Sequence, residues 1–337
     1  MEQPMNQAAK LPYGLFAMWP VRFPLSAAVL QSRDLAGIYI QFGWNVINPA
    51  PGRFDWQALD ARVNEAQRAG KQVVLANRLS LWNCPEWVKQ SPGVQAIALT
   101  DTNPYHKSAG QTVRVPTFWD PTYHGAKLAA IAALGQRYAG SVVGVAAAFA
   151  NYYTDDWAVP HQTGGGRRID QVQQWRAAGY STERMLGVGQ QIVEGTAAAF
   201  PGVALKMPIA QTDARLDGTP TRLAELIVAW CRRHYPETFC PQWSRLSTQT
   251  GQQRDAILDI LMNQRQCGMQ MLAAASNGAV DRCRQNGGNA PCQPAAVLQN
   301  SLQAAVPFRP YFIEMWWQDC VNPALAAVLH EGAAGFA

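Results

Sequence analysis

Short apolar runs alternate with amphipathic stretches along the whole chain. Eight runs read as strands: Gly14–Met18, Gly37–Phe42, Gln72–Ala76, Val142–Phe149, Val203–Ile209, Thr238–Gln242, Met269–Ala273 and Tyr311–Met315. Most are apolar at consecutive positions, the mark of parallel strands covered on both faces. Between them, apolar residues recur at helical spacing. Leu59, Val63 and Ala66 share one face of a helix that opens after Asp55 and closes at Gly70. Asp120-Pro121 supplies an N-cap and a proline at the first helical position, ahead of Leu128, Ile131 and Leu134. Similar faces follow at Leu186, Ile192 and Val193, at Leu223, Leu226 and Trp230, at Ile257 and Leu261, at Leu298 and Leu302, and at Leu325 and Leu329. Eight strand–helix units favour a single (β/α)8 TIM barrel over an open doubly wound sheet, and no linker divides residues 1–337. Long loops follow the third strand (79–116) and the fourth (151–170), leaving the strand ends where barrels place their chemistry.

Composition narrows the class. With 48% hydrophobic and 15% charged residues the chain can bury a full core, and no apolar run approaches the roughly 18 residues of a membrane span. The net charge of +5 is carried by scattered arginines with no basic stripe, which argues against nucleic acid and leaves a mild lean toward an anionic substrate. Seven cysteines are many for a cytosolic chain. Cys283 and Cys292 bracket a Gly/Asn/Pro loop, and Cys231 and Cys240 join a helix end to the next strand. Neither pair has zinc-ligand spacing, so disulfides and an exported, secreted or periplasmic protein are expected. The opening residues have no signal-like pattern, so this expectation takes any signal to have been removed.

The acidic residues can be sorted by position. Of nine Glu, only Glu314 lies inside an apolar strand, where a carboxylate costs several kcal/mol of desolvation unless it is paired. Asp155 and Asp156 follow the fourth strand among Asn151, Tyr152, Tyr153 and Trp157, with Asp156 the stronger candidate because it directly precedes the tryptophan. Asp213 and Asp319 are weaker candidates that suit caps or turns. Trp19, Trp44, Trp82, Trp157, Trp243, Trp316 and Trp317 all fall at or just past strand ends, with Asn45, Asn77, Arg78 and Arg245 beside them. Flat aromatic faces with polar neighbours suit sugar rings. The five His have no metal-ligand spacing, so no metal or other cofactor is expected, and no nucleophile elbow or phosphate loop is present. Gly164-Gly165-Gly166 reads as a flexible loop before it reads as an anion site. Lys206, the only strand lysine, is the one candidate for Schiff-base chemistry.

The stretch Phe42-Gly43-Trp44-Asn45 through Pro51-Gly52-Arg53-Phe54-Asp55-Trp56, continuing to Leu59-Asp60 and Gly70-Lys71, resembles the second unit of the (β/α)8-barrel retaining glycoside hydrolases of the β-galactosidase and cellulase-like groups. Cys84-Pro85-Glu86-Trp87 is similar to the segment after their third strand. The resemblance implies an Asn-Glu acid/base pair after strand four and a Glu nucleophile after strand seven. Here strand four leads into Tyr-Thr-Asp-Asp-Trp and strand seven carries no Glu, so Asp156, with Asp155 in reserve, takes the acid role and Glu314 on strand eight the nucleophile or base role, kept ionised by Arg245 or Arg78. The expected activity is hydrolysis of a polysaccharide or oligosaccharide, with an acidic bacterial exopolysaccharide favoured by the charge, by a monomer or small homo-oligomer. The alternative is a non-catalytic carbohydrate-binding barrel.

Overall fold

The computed structural model describes residues 11–100, 110–152, 155, 159, 171–252, 255–262, 267–276 and 293–336. Eight parallel strands close into one barrel. They are β1 (Gly14–Pro20), β2 (Leu35–Gly43), β3 (Gln72–Arg78), β6 (Gly144–Ala146), β7 (Ala204–Pro208), β8 (Phe239–Leu246), β9 (Gly268–Met271) and β10 (Phe312–Trp316). β1 pairs with β2 on one side and β10 on the other, which closes the ring. All eight apolar runs are therefore barrel strands, in order, and Glu314 lies on the eighth.

Helix boundaries follow the local chemistry. Asp120 caps the helix Pro121–Tyr138 by accepting the Tyr123 N–H at 2.9 Å. Helix Gln57–Arg68 ends before Gly70, whose φ of +69° is the left-handed turn that glycine adopts at little cost. The segment after β3 contains structure that the hydrophobic pattern does not foretell: β4 (Ala96–Thr100) and β5 (Thr112–Pro116) form an antiparallel hairpin outside the barrel. Burial alternates along β4, where Ile97 and Leu99 are covered and Ala98 is exposed, because only one face of the hairpin is covered. Of the loop after strand four, residues 151, 152, 155 and 159 are described.

Strand alternation divides the interior into two cores. Leu15, Ile38, Val73, Leu205, Met269 and Ile313 point outward against the helices. Phe16, Met18, Tyr39, Val74, Ala76, Ala204, Cys240 and Phe312 point into the barrel. Two glycines let the inner core close. A Cβ at Gly37 would lie 2.2 Å from the Phe16 ring and one at Gly268 would lie 2.1 Å from the Phe312 ring, so both aromatics rest against bare backbone. Their rings meet edge to face at 6.0 Å, packing the barrel interior one alternation step before Glu314.

The same division corrects the expectation of a Cys231–Cys240 bridge. Both thiols are free and buried. Cys231 belongs to the helix-facing core and Cys240 to the barrel interior, so the strand wall separates them. Cys283 and Cys292 lie outside the described residues. Burial pushes the Cys84 and Cys267 thiols up to about 12, which makes them poor nucleophiles. Iodoacetamide added after denaturation without reductant should label both Cys231 and Cys240, read by peptide mass. A linked, unlabelled 231/240 peptide pair would contradict the buried-thiol arrangement.

Candidate active site

The alternation that builds the barrel also aims its polar residues. On β7, Ala204 faces inward while Leu205 and Met207 face the helices, so Lys206 points into the barrel. On β10, Phe312 faces inward and Ile313 and Met315 outward, which turns Glu314 to the same interior. Gln242 follows Cys240 inward on β8 by the same rule.

These side chains meet. The Lys206 ammonium lies 2.9 Å from Glu314 Oε1 and 3.2 Å from Asp155 Oδ2, so one cation bridges two carboxylates. The Tyr39 hydroxyl donates to Asp155 and accepts from Lys206, whose Nζ also lies 3.6 Å from the centre of the Tyr39 ring. The other oxygen of Glu314 accepts from the Gln242 amide at 3.1 Å, and that amide also lies 2.9 Å from Gln270 Oε1 and 3.1 Å from Ser244 Oγ. Lys206, Glu314 and Asp155 are 0%, 1% and 3% exposed. A buried charge is tolerated only when paired and hydrogen-bonded, and every charged member here is.

The proposed ionic partners of Glu314 differ from the sequence expectation. Arg245 is exposed and faces Asp255 at 3.6 Å, and Lys206 with Gln242 takes the role expected of Arg245. Arg245 follows the end of the inward-facing register, whereas Lys206 sits within it. Lys206, the Schiff-base candidate, is held in two ion pairs. Asp156, Tyr153 and Trp157 lie outside the described residues.

The aromatic positions separate by depth. Trp19, Trp44 and Trp243 belong to the helix-facing core, and Trp44 is fully buried against Tyr123 at 5.6 Å. Trp19 and Trp243 share the parity of the outward residues on β1 and β8, and Trp44 opens the short helix after β2, so their faces are covered. Trp82, Trp316 and Trp317 are partly exposed. Trp317 lies 5.6 Å from Trp19, and Trp82 lies 6.4 Å from Tyr152, at the loops that follow β10, β3 and β6. Asn45 is exposed, Asn77 is buried and Arg78 is half-buried at the end of β3. Asp213 caps the short helix after β7 and binds Arg215, while Asp319 accepts the backbone N–H groups of Ala275 and Ser276, tying the β9 loop to the β10 end.

Asn151 closes the fourth strand region, and Tyr152 follows it in place of an acid. Its Oδ1 accepts from Lys127 at 2.8 Å. Lys127 is fully buried in the helix Pro121–Tyr138, and that burial pulls its pKa from 10.5 down to about 7. The unfolded chain therefore holds more protons than the folded one between about pH 7 and 10.5, and stability should rise with pH across that window. Lys127→Met should flatten the rise in denaturant titrations at successive pH values; an unchanged slope would place the effect on other groups.

Tyr39, Gln242 and Gln270 are site residues that sequence reasoning missed. Their signal was parity: each is a polar-capable side chain on the inward register of an apolar strand.

Comparisons with known proteins come to bear on this geometry. The sequence model of glycoside hydrolase family 42, described as β-galactosidase, matches residues 33–182. No curated protein matches the sequence. Among solved structures, the β-galactosidase of the Antarctic haloarchaeon Halorubrum lacusprofundi superposes with a TM-score of 0.57 at 12% identity, covering 96% of this chain and 58% of that one. The cold-adapted β-galactosidase of Rahnella sp. R3 gives 0.56 at 13% identity, over 98% and 57% of the two chains. The catalytic domain of the Paenibacillus polymyxa β-amylase gives 0.56 at 10% identity, over 94% of each. The chain thus spans under three-fifths of the β-galactosidases it matches, and at these identities the likeness is one of fold. The family match over residues 33–182 bears out the resemblance to the (β/α)8-barrel glycoside hydrolases, and the solved neighbours bear out the barrel fold.

Proposed function

We propose that the protein is a glycoside hydrolase that cleaves a polysaccharide or oligosaccharide with Asp155 and Glu314 as its carboxylate pair. The observation that carries this reading is their convergence on Lys206 inside the barrel. We take the retaining course, in which Glu314 forms a covalent glycosyl ester. In the proposed first step Glu314 Oε2 bonds to the anomeric carbon while protonated Asp155 gives its proton to the departing oxygen. Water then attacks the same carbon, Asp155 takes a proton from it, and the bond to Glu314 breaks. The half-exposed Trp82, Trp316 and Trp317 would carry sugar rings. The charge of +5 supports an acidic polysaccharide as substrate, and such a substrate suits a protein working outside the cytoplasm.

The burial of both carboxylates in ion pairs favours a second reading, a carbohydrate-binding barrel without turnover. A panel of neutral and acidic polysaccharides, incubated with wild type, Asp155→Asn, Asp156→Asn and Glu314→Gln, separates the two. Turnover by wild type that is lost in Asp155→Asn and Glu314→Gln with binding kept supports the enzyme. Binding without turnover in wild type supports the alternative, and loss in Asp156→Asn alone transfers the acid role to Asp156.

A further inference from the structure

Gln242 holds an unused hydrogen-bond acceptor beside the proposed nucleophile. Its side chain is 0% exposed, and its amide nitrogen is committed to Glu314, Gln270 and Ser244. Glu314 as acceptor fixes the orientation of the amide, because a flipped amide would set oxygen against carboxylate oxygen. The amide oxygen, Oε1, then has no hydrogen-bond partner. A buried acceptor left without a donor costs free energy, and beside the proposed nucleophile it marks where a ligand donor belongs.

The chemistry of a bound sugar restricts which donor that can be. A group 3.1 Å from the attacking carboxylate oxygen lies beside the anomeric carbon. The two oxygens nearest that carbon, apart from the leaving one, are the ring oxygen and the hydroxyl on carbon 2. The ring oxygen has no hydrogen to give, so an acceptor there can pair only with the 2-hydroxyl. We propose, on the basis of the glycosidase reading above, that Gln242 is the specificity-determining residue for the reacting sugar and selects residues with a free 2-hydroxyl over 2-deoxy and 2-acetamido sugars. One amide thus holds the nucleophile with its nitrogen and reads the neighbouring hydroxyl with its oxygen. Bonds to that hydroxyl strengthen as the oxocarbenium-like transition state forms, so the discrimination falls mainly on kcat.

The test uses 4-nitrophenyl glycosides of galactose, glucose, mannose and glucuronic acid, and the 2-deoxy counterpart of whichever is cleaved. In wild type, removing the 2-hydroxyl should lower kcat/KM by at least about tenfold, mostly through kcat. Gln242→Met keeps the side-chain length and removes both polar atoms; it should slow the 2-hydroxy substrate and shrink the ratio between the two substrates toward one. An unchanged ratio in a folded Gln242→Met protein would overturn the role of Gln242. Should that variant not fold, binding of the free sugar and its 2-deoxy form to wild type decides: at least about tenfold tighter binding of the hydroxyl form supports the role, and equal binding overturns it. Where none of the four glycosides is cleaved, the same binding comparison decides, and turnover of neither these glycosides nor any polysaccharide of the panel would overturn the glycosidase reading itself, and this inference with it.

Discussion

Lys206→Met should lower the stability of the fold by roughly 3–5 kcal/mol, the usual cost of removing one partner from a buried ion pair. The methionine fills nearly the same volume, so the loss is electrostatic. Asp155 and Glu314 would be left facing each other at 3% and 1% exposure without their shared cation. A variant that also carries Asp155→Asn and Glu314→Gln removes all three charges together and should recover most of the loss, because a neutral cluster of similar shape has no unpaired charge to bury. Equilibrium unfolding in guanidinium chloride measures both. A Lys206→Met protein within about 1 kcal/mol of wild type would show that the cation does not bridge the two acids in solution.

Glu314→Gln should lower kcat by roughly a thousandfold or more on any substrate the wild type cleaves, with the fold kept, since Lys206 retains its contact with Asp155. The amide preserves the size of the carboxylate and removes its ability to form the glycosyl ester. Glu314→Ala carries the argument further, because it opens space where a small external anion can stand. With azide present, a single displacement replaces two, so the glycosyl azide formed should have the anomeric configuration opposite to the substrate. Asp155→Ala leaves the nucleophile in place and should give an azide product of unchanged configuration. The product configurations, read by proton NMR, therefore assign the two roles separately. Retained configuration from Glu314→Ala would remove it from the nucleophile position.

The barrel was legible because its signal is local and repeated. Each strand declares itself by consecutive apolar residues such as Val73-Val74-Leu75, and each helix by a cap and a spaced apolar face such as Asp120 with Ile131 and Leu134. The hairpin of β4 and β5 was not, because its alternation covers five residues a strand and the partner lies across the intervening loop. Glu314 was legible for a related reason: a charge within Tyr-Phe-Ile-Glu-Met contradicts its surroundings and demands a partner. Which partner could not be read. Arg245 and Arg78 were as near in sequence terms as Lys206, and the choice follows from strand parity and from how far each strand is staggered around the ring.

The aromatic positions make the same distinction. Seven tryptophans at strand ends look equivalent in the sequence, yet a shift of one residue turns a side chain from the mouth to the helix layer, as Trp243 and Trp316 show. The order of residues by itself determined eight strand–helix units, their caps and the buried carboxylate, since these depend on neighbours within a few positions. Only the closed ring decided that Tyr39, Asp155, Lys206, Gln242 and Glu314 share one space. They come from five separate stretches of chain, and Tyr39 on β2 meets Lys206 on β7 across the interior only once the pairing of β10 with β1 has closed the ring.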